Sequence, residues 1–148
     1  MVGNLIARAS TSIIAPSDKI WKALVDPVAI KKYMFGTTVV SDWRVGSSIV
    51  WKGEWQGKPY EDKGKILQLS TGHLMQYNHV SGPPGKEESH IVTIELTPDR
   101  NHTHLVLTQD GSATEESRVH SEKNWEKMLA ELKKYVEYET DRPPLRGV

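Results

Sequence analysis

The C-terminal third of the chain carries a helical pattern. Between residues 120 and 137 the apolar residues recur at intervals of three and four, which places them in one stripe along an α-helix. Charged residues occupy the other positions, so the opposite face is polar. Either Ser112 or Thr114 can cap a helix that begins at Glu115. The stripe, which must pack against another element, consists of Trp125, Met128, Leu129, Leu132 and Val136.

The period of the pattern changes to two between residues 38 and 109, which is typical of β-strands. Turn residues divide this region into six segments, and the short connections favour an antiparallel meander. Apolar residues alternate with polar ones, as in Val92, Thr93 and Ile94, so one face of the sheet is predicted to be buried. The predicted strands are Thr38–Trp43, Ser47–Glu54, Tyr60–Leu69, His73–Val80, Ser89–Leu96 and Thr103–Gln109.

The N-terminal part predicts one strand and two short helices. Leu5–Ile14 has the composition of a strand. Ser17 occupies a predicted N-cap, and the helix that follows ends at Asp26-Pro27. A second short helix is predicted at Val28–Tyr33. The predicted fold class is therefore α+β with a helix-grip arrangement: a curved antiparallel sheet wrapped around a long C-terminal helix, with two short helices after the first strand.

Length and charge restrict the function classes. The 148 residues suit one domain, which we expect at residues 5–139, with a disordered tail at 140–148. Nineteen basic and nineteen acidic residues cancel, so no nucleic-acid partner is expected. No apolar run approaches the roughly 20 residues of a membrane span, and the N-terminus does not read as a signal peptide. Because cysteine is absent, no disulfide or thiolate metal ligand exists, and we expect a cytoplasmic protein.

Four stretches of the sequence together resemble one known family. They are IIAPSDKIWKALVDPVAIKKY, SDWRVGSSIVWKGEW, GKPYEDKGKIL and KNWEKMLAELKKYVE. In chain order they are similar to the START-like, Bet v 1-like (SRPBCC) domains related to the activator of heat-shock protein 90 ATPase. The resemblance covers much of residues 13–137 and implies a helix-grip fold with a cavity between sheet and helix. Members include binders of hydrophobic ligands, aromatic-polyketide cyclases and co-chaperones, so the family leaves the function open.

Large side chains on the predicted inner face define a candidate ligand site. Pockets for small molecules are mostly apolar with a few placed polar groups, and this set has that composition. The alternative is that the same side chains fill the core, as large aromatic residues usually do. The strands contribute Trp51, Tyr77, His79 and His90, the long helix contributes Trp125, Met128 and Leu129, and three residues on segments that can close one end are Met34, Phe35 and Trp43.

Other polar residues are weaker candidates. His102 and His104 would share one face of a strand, but no further ligand at a known spacing joins them. We interpret this pair as solvated surface, and we expect neither a metal nor a cofactor. A catalytic histidine needs a charged neighbour that tunes its pKa, and no inward carboxylate is predicted beside the inner-face histidines. Glu54 and Asp62 lie near strand ends and are possible partners of these histidines, but a surface role is favoured for both.

Three hypotheses for the function follow. The leading one is a non-enzymatic domain that binds a small apolar or aromatic molecule between sheet and helix. The second is a cyclase-like or hydrolase-like enzyme that uses His79 or His90 as its base. The third is a co-chaperone-like module for heat-shock protein 90, ranked last because the family's co-chaperones carry an additional domain. The sequence leaves the oligomeric state open, with a homodimer among the options.

Overall fold

A seven-stranded antiparallel sheet and a long C-terminal helix dominate the computed structural model, which describes residues 4–82 and 85–141. The strand order is β1-β7-β6-β5-β4-β3-β2, so strands two to seven form a meander and the first strand pairs with the last. The predicted α+β helix-grip fold is confirmed. The elements are β1 (Leu5–Ile13), α1 (Ser17–Val25), α2 (Pro27–Tyr33), β2 (Thr38–Ser41), β3 (Ser48–Trp55), β4 (Lys58–Ser70), β5 (Leu74–Ser81), β6 (Glu88–Asp99), β7 (His102–Ser112) and α3 (Glu115–Asp141).

Helix starts differ in part from the prediction. The predicted cap at Ser17 is wrong: Pro16 occupies the N-cap position of α1, and no side chain caps it. Helix α2 has a true cap, because a carboxylate oxygen of Asp26 accepts a hydrogen bond from the Val28 amide at 3.0 Å. Of the two candidates at α3, Thr114 is the cap, since its hydroxyl accepts from the Ser117 amide at 3.1 Å.

The ends of several elements also differ from the predicted ends. Strand β2 stops two residues before Trp43, which has a positive φ of 55° and so cannot continue an extended strand. Strand β6 continues to Asp99, which pairs with His102, so only two residues make the turn to β7. Helix α3 extends past its predicted end through residues 140 and 141. The rest of the predicted tail, residues 142–148, lies outside the described residues.

The core lies between the inner face of the sheet and the apolar stripe of α3. The alternation predicted in the strands is confirmed, since Val92 and Ile94 are buried while Ser89 and Glu95 are exposed. A register shift between Ile66 and Gln68 marks a β-bulge in β4, which moves the inward positions of that strand from even to odd numbers. The buried part of the helix stripe consists of Met128, Leu129, Leu132 and Val136.

Helix α3 is hydrogen-bonded to the edge strand β1. A carboxylate oxygen of Glu122 accepts from the Arg8 amide at 3.0 Å, and Glu137 accepts from the Ile14 amide at 2.9 Å. Lys133 donates to the Ser12 carbonyl at 2.7 Å. These side chains satisfy backbone groups that an edge strand would otherwise present to another chain. Within the described ranges, no helix has both the length and the apolar composition needed to cross a membrane.

Candidate functional site

Three adjoining recesses lie where α2 and β2 meet the inner face of the sheet and α3. We call them the inner, middle and outer recess, with volumes of about 30, 140 and 340 Å³. Met34 and Trp125 line all three. The middle recess is lined by Met34, Thr37, Trp51, Tyr60, Asp62, Tyr77, His79, Gln109 and Trp125. The outer recess is lined by Met34, Phe35, Thr37, Glu54, Tyr60, Gln109, Ser121, Asn124, Trp125 and Met128.

The space beneath the middle of α3 is filled by side chains. Leu129 and Leu132 are fully buried there, and the inner recess has room for only about one water molecule. The recesses that are large enough for a bigger molecule lie near α2. There Trp125 and Met34 separate the core from these wider recesses. We predicted a cavity between the sheet and the C-terminal helix, and the structure has recesses at one end of that interface.

Most of the candidate residues named from the sequence line at least one recess. Trp51 and Tyr77 line the inner and middle recesses, and Trp43 lines the inner one. His79 faces the middle recess. Met128 lines the inner and outer recesses. Phe35, whose side chain is 68% exposed, lines only the outer recess.

Two candidates, His90 and Leu129, line none of the three recesses. Leu129 is packed in the core of the molecule. The ring of His90 is held by a hydrogen bond of 2.8 Å from its Nδ1 to the Asp110 carbonyl. Gly111 makes room for this ring, because a Cβ at that position would lie 2.8 Å from Nδ1 of His90. The His90 side chain on β6 therefore packs against β7 and not against a recess.

A histidine and a carboxylate form the polar wall of the middle recess. Nε2 of His79 lies 3.0 Å from a carboxylate oxygen of Asp62, and both side chains are mostly buried. Of the two alternatives for Asp62, the structure supports a partner of the histidine and not the favoured surface role, because the even-numbered positions of β4 before its bulge point inward. The His79 ring also makes an edge contact with Trp51, with centroids 4.7 Å apart. Burial lowers the pKa of His79 more than Asp62 raises it, which favours the neutral ring.

A pair of hydroxyl groups lies between the middle and outer recesses. The Tyr60 and Thr37 hydroxyls are 2.8 Å apart, which joins β4 to the segment before β2. The Tyr60 ring lies over Gly53, its cross-strand partner, where a Cβ would come within 2.7 Å of the Tyr60 hydroxyl. Glycine at position 53 therefore permits this orientation of the tyrosine.

Some lining residues were not identified from the sequence. Thr37, Tyr60 and Gln109 were not candidates, although Gln109 continues the inward positions of Leu105 and Leu107 along β7. The signal was the position of a polar residue in phase with buried apolar ones.

The His102 and His104 pair gives no indication of a metal site. His104 is exposed and within 2.7 Å of the Ser12 hydroxyl, while His102 contacts the Asn101 side chain. No group of three or more histidine, aspartate or glutamate residues suited to a metal ion occurs in residues 4–82 and 85–141.

The sequence family described as Activator of Hsp90 ATPase homolog 1-like protein matches residues 14–137. The chain belongs to this family. The family match covers every element from α1 to β7 and most of α3, and so includes all residues that line the middle and outer recesses. No curated protein matches the sequence.

Solved structures similar to this family member share its fold. The solution structure of ChR145 from Cytophaga hutchinsonii is 51% identical over 95% of this chain and 98% of its own, with a TM-score of 0.80. The Aha1 dimer from Colwellia psychrerythraea is 21% identical over 90% of this chain and 96% of its own, with a TM-score of 0.73. DynU16, a protein of the dynemicin biosynthetic locus, is 17% identical with a TM-score of 0.75, and the match covers 90% of this chain but 48% of DynU16.

Proposed function

We propose that the protein binds a small apolar or aromatic molecule in the middle and outer recesses. The observation that carries this proposal is the composition of the middle recess. Its aromatic walls come from Trp51, Tyr77 and Trp125, and its polar groups converge from β4, β5 and β7. An apolar recess with a few placed polar groups is the usual composition of a small-molecule site.

The test is a thermal-shift panel of fatty acids, sterols and aromatic polyketides. A ligand that binds only the folded protein raises its melting temperature, by an amount set by its concentration relative to Kd. We expect at least one class to stabilise the protein. If no class does so at the solubility limit, the proposal is wrong.

Two variants of α3 locate the binding site. Asn124 lines the outer recess and Lys127 does not, although both are exposed on the same helix. Asn124→Trp should obstruct the outer recess and reduce the shift caused by a bound ligand. Lys127→Trp adds the same side chain outside the recess and should leave the shift unchanged. Equal shifts in both variants would place the ligand elsewhere.

A second candidate function is catalytic, because the hydrogen bond between His79 and Asp62 has the geometry of an oriented general base. In this alternative the carboxylate fixes the tautomer of the ring, and His79 removes a proton from a bound substrate. His79→Ala should then abolish turnover of a substrate from the panel while binding persists. Unchanged turnover in this variant would remove the alternative.

The family description and the dimeric structural neighbour motivate two further measurements. Binding to heat-shock protein 90 predicts capture by the middle domain of that chaperone, compared at low and high salt. A homodimer predicts twice the monomer mass in sedimentation equilibrium. Neither measurement depends on the recesses, so neither outcome alters the test of ligand binding.

A further inference from the structure

Three side chains around the middle recess have polar atoms without a hydrogen bond. Nδ1 of His79, the hydroxyl of Tyr77 and the indole nitrogen of Trp51 make none in the part of the chain that the structure describes. Tyr77 is 7% exposed and Trp51 is 5% exposed. Buried tyrosine and tryptophan side chains usually find a partner for these groups, so three together are unusual.

The three side chains that carry these atoms line the recesses. Among the described residues, no fully buried side-chain nitrogen or oxygen lacks a partner, so these three atoms must each retain some accessible surface. Tyr77 and Trp51 line the inner and middle recesses, and His79 lines the middle one. A molecule in the recess can therefore reach the side chains that carry these atoms.

The donor and acceptor roles of the three atoms follow from their neighbours. A carboxylate only accepts hydrogen bonds, so Nε2 of the neutral His79 ring donates to Asp62 and Nδ1 is left as an acceptor. The indole nitrogen of Trp51 is a donor only. Burial raises the pKa of Tyr77 above its ordinary value, so its hydroxyl stays protonated and is able to donate. The recess thus offers at least one donor and one acceptor.

The charge in the recess excludes one class of ligand. Asp62 places a carboxylate in the lining, and no lysine or arginine is part of that lining. An anionic ligand would meet a like charge in a partly desolvated space, which is unfavourable. A hydroxyl group, in contrast, donates one hydrogen bond and accepts another without carrying charge.

We propose that the ligand of the middle recess is an uncharged aromatic molecule with a hydroxyl group, which donates to Nδ1 of His79 and accepts from Tyr77 or Trp51. This inference rests on the proposed function and names the ligand class. The recess volume of about 140 Å³ suits one aromatic ring, since a cavity of about 150 Å³ in another protein holds benzene. The outer recess would accept a substituent on that ring.

Three probes of one shape test the inference: 4-butylphenol, 4-butyltoluene and 4-butylbenzoate. Their dissociation constants for the full chain are measured by NMR titration at pH 7. We expect the phenol to bind roughly fivefold to tenfold more tightly than the toluene, as one or more new hydrogen bonds would allow. The benzoate should bind most weakly. In a recess without polar partners the order of the first two probes would reverse, because desolvating an unpaired hydroxyl costs free energy.

A matched pair of histidine variants assigns the effect. His79→Leu removes the acceptor and should abolish or reverse the preference for the phenol over the toluene. His73 is exposed and lines none of the recesses, so His73→Leu should keep the preference. Far-UV circular dichroism checks folding; if His79→Leu does not fold, the order of the probes in the unmodified protein decides.

The outcomes separate this inference from the proposed function. Toluene binding as tightly as phenol, or benzoate binding most tightly, overturns the hydroxyl assignment and leaves apolar-ligand binding intact. If none of the three probes binds at millimolar concentration while a sterol or a fatty acid does, the inference alone is wrong. If no molecule of either set binds, both are wrong.

Discussion

Gln109 on β7 and Trp125 on α3 are joined by a hydrogen bond of 2.7 Å from the indole nitrogen to the amide oxygen. Both residues line the middle and outer recesses. The bond therefore links the sheet to the helix at the place where the recesses meet. It also fixes the orientation of Trp125, the side chain that separates the outer recess from the core.

We expect this bond to stabilise the protein measurably. In a double-mutant cycle with Trp125→Phe and Gln109→Leu, the coupling free energy should be about 1 kcal/mol, the usual net contribution of one hydrogen bond. Urea denaturation of the four proteins provides the measurement. Additive effects within about 0.3 kcal/mol would mean that the bond contributes nothing to stability.

The sequence predicted the fold better than the site, and particular residues show why. Apolar residues at every second position, such as Val92 and Ile94, indicate the buried face of a strand. The helical spacing of Met128 and Leu132 indicates the buried face of α3. The fold depends mainly on such faces. Its remaining errors were at element ends, where single backbone conformations decide, as at Trp43 with its positive φ.

The polar part of the site could not be predicted in the same way. The position of Asp62 near a strand end favoured a surface role over a role as partner of a histidine, and the histidine that it contacts lies on the neighbouring strand. The register that brings Asp62 to His79 depends on pairing between β4 and β5, which periodicity does not specify. The bulge after Ile66 also shifts the pairing register of β4 with β5 by one residue, and no local sequence pattern indicates it.

Two glycines of neighbouring strands should respond differently to alanine. A Cβ at Gly64 would lie 1.8 Å from the backbone carbonyl oxygen of Asn78, within a paired region of the sheet that cannot easily move. We expect Gly64→Ala to destabilise the protein by roughly 3 kcal/mol or more, as overpacking against a fixed backbone does. Chemical denaturation, or a low yield of folded protein, provides the measurement.

The matched substitution is Gly53→Ala. Here the Cβ would meet the Tyr60 side chain, which is able to rotate away at a smaller cost. We expect a loss of about 1 kcal/mol, together with separation of Tyr60 from the Thr37 hydroxyl. Equal stability losses in the two variants would contradict this difference between backbone and side-chain obstruction.

The pH dependence of stability should carry a contribution from His79. Burial is the largest influence on this residue and lowers its pKa below the value of 6.5 that applies in the unfolded chain. Between the two pKa values the unfolded chain binds more protons, so the contribution is present above pH 6.5 and is lost as the pH falls toward the folded pKa.

A variant isolates this contribution. His79→Asn retains a donor for Asp62 but does not titrate, so its urea midpoint should fall less than that of the unmodified protein between pH 7.5 and 5.5, values chosen to bracket the unfolded pKa of about 6.5. His73→Asn, at an exposed position, should keep the original pH dependence. An unchanged pH dependence in His79→Asn would contradict the lowered pKa.

Phe35 combines an unfavourable backbone conformation with an exposed apolar side chain. Its φ is 55°, a region that costs a residue with a Cβ roughly 1 kcal/mol or more, and its ring contributes little burial because it is 68% exposed. Phe35→Gly should therefore leave the stability equal or raise it by up to about 1 kcal/mol. Because Phe35 lines the outer recess, the same variant should weaken binding of 4-butylphenol by loss of contact with the butyl chain.

Arg100 provides the control, since its φ of 60° lies in the same region but it is part of the turn between β6 and β7, outside the recesses. Arg100→Gly should give a similar stability change with unchanged affinity for the phenol. These two results together would give the strain at Phe35 a physical reason: the backbone would hold an apolar ring at the mouth of the outer recess for contact with a ligand instead of the core. If Phe35→Gly lowers stability by more than about 1 kcal/mol, the ring is a structural element and this reason does not apply.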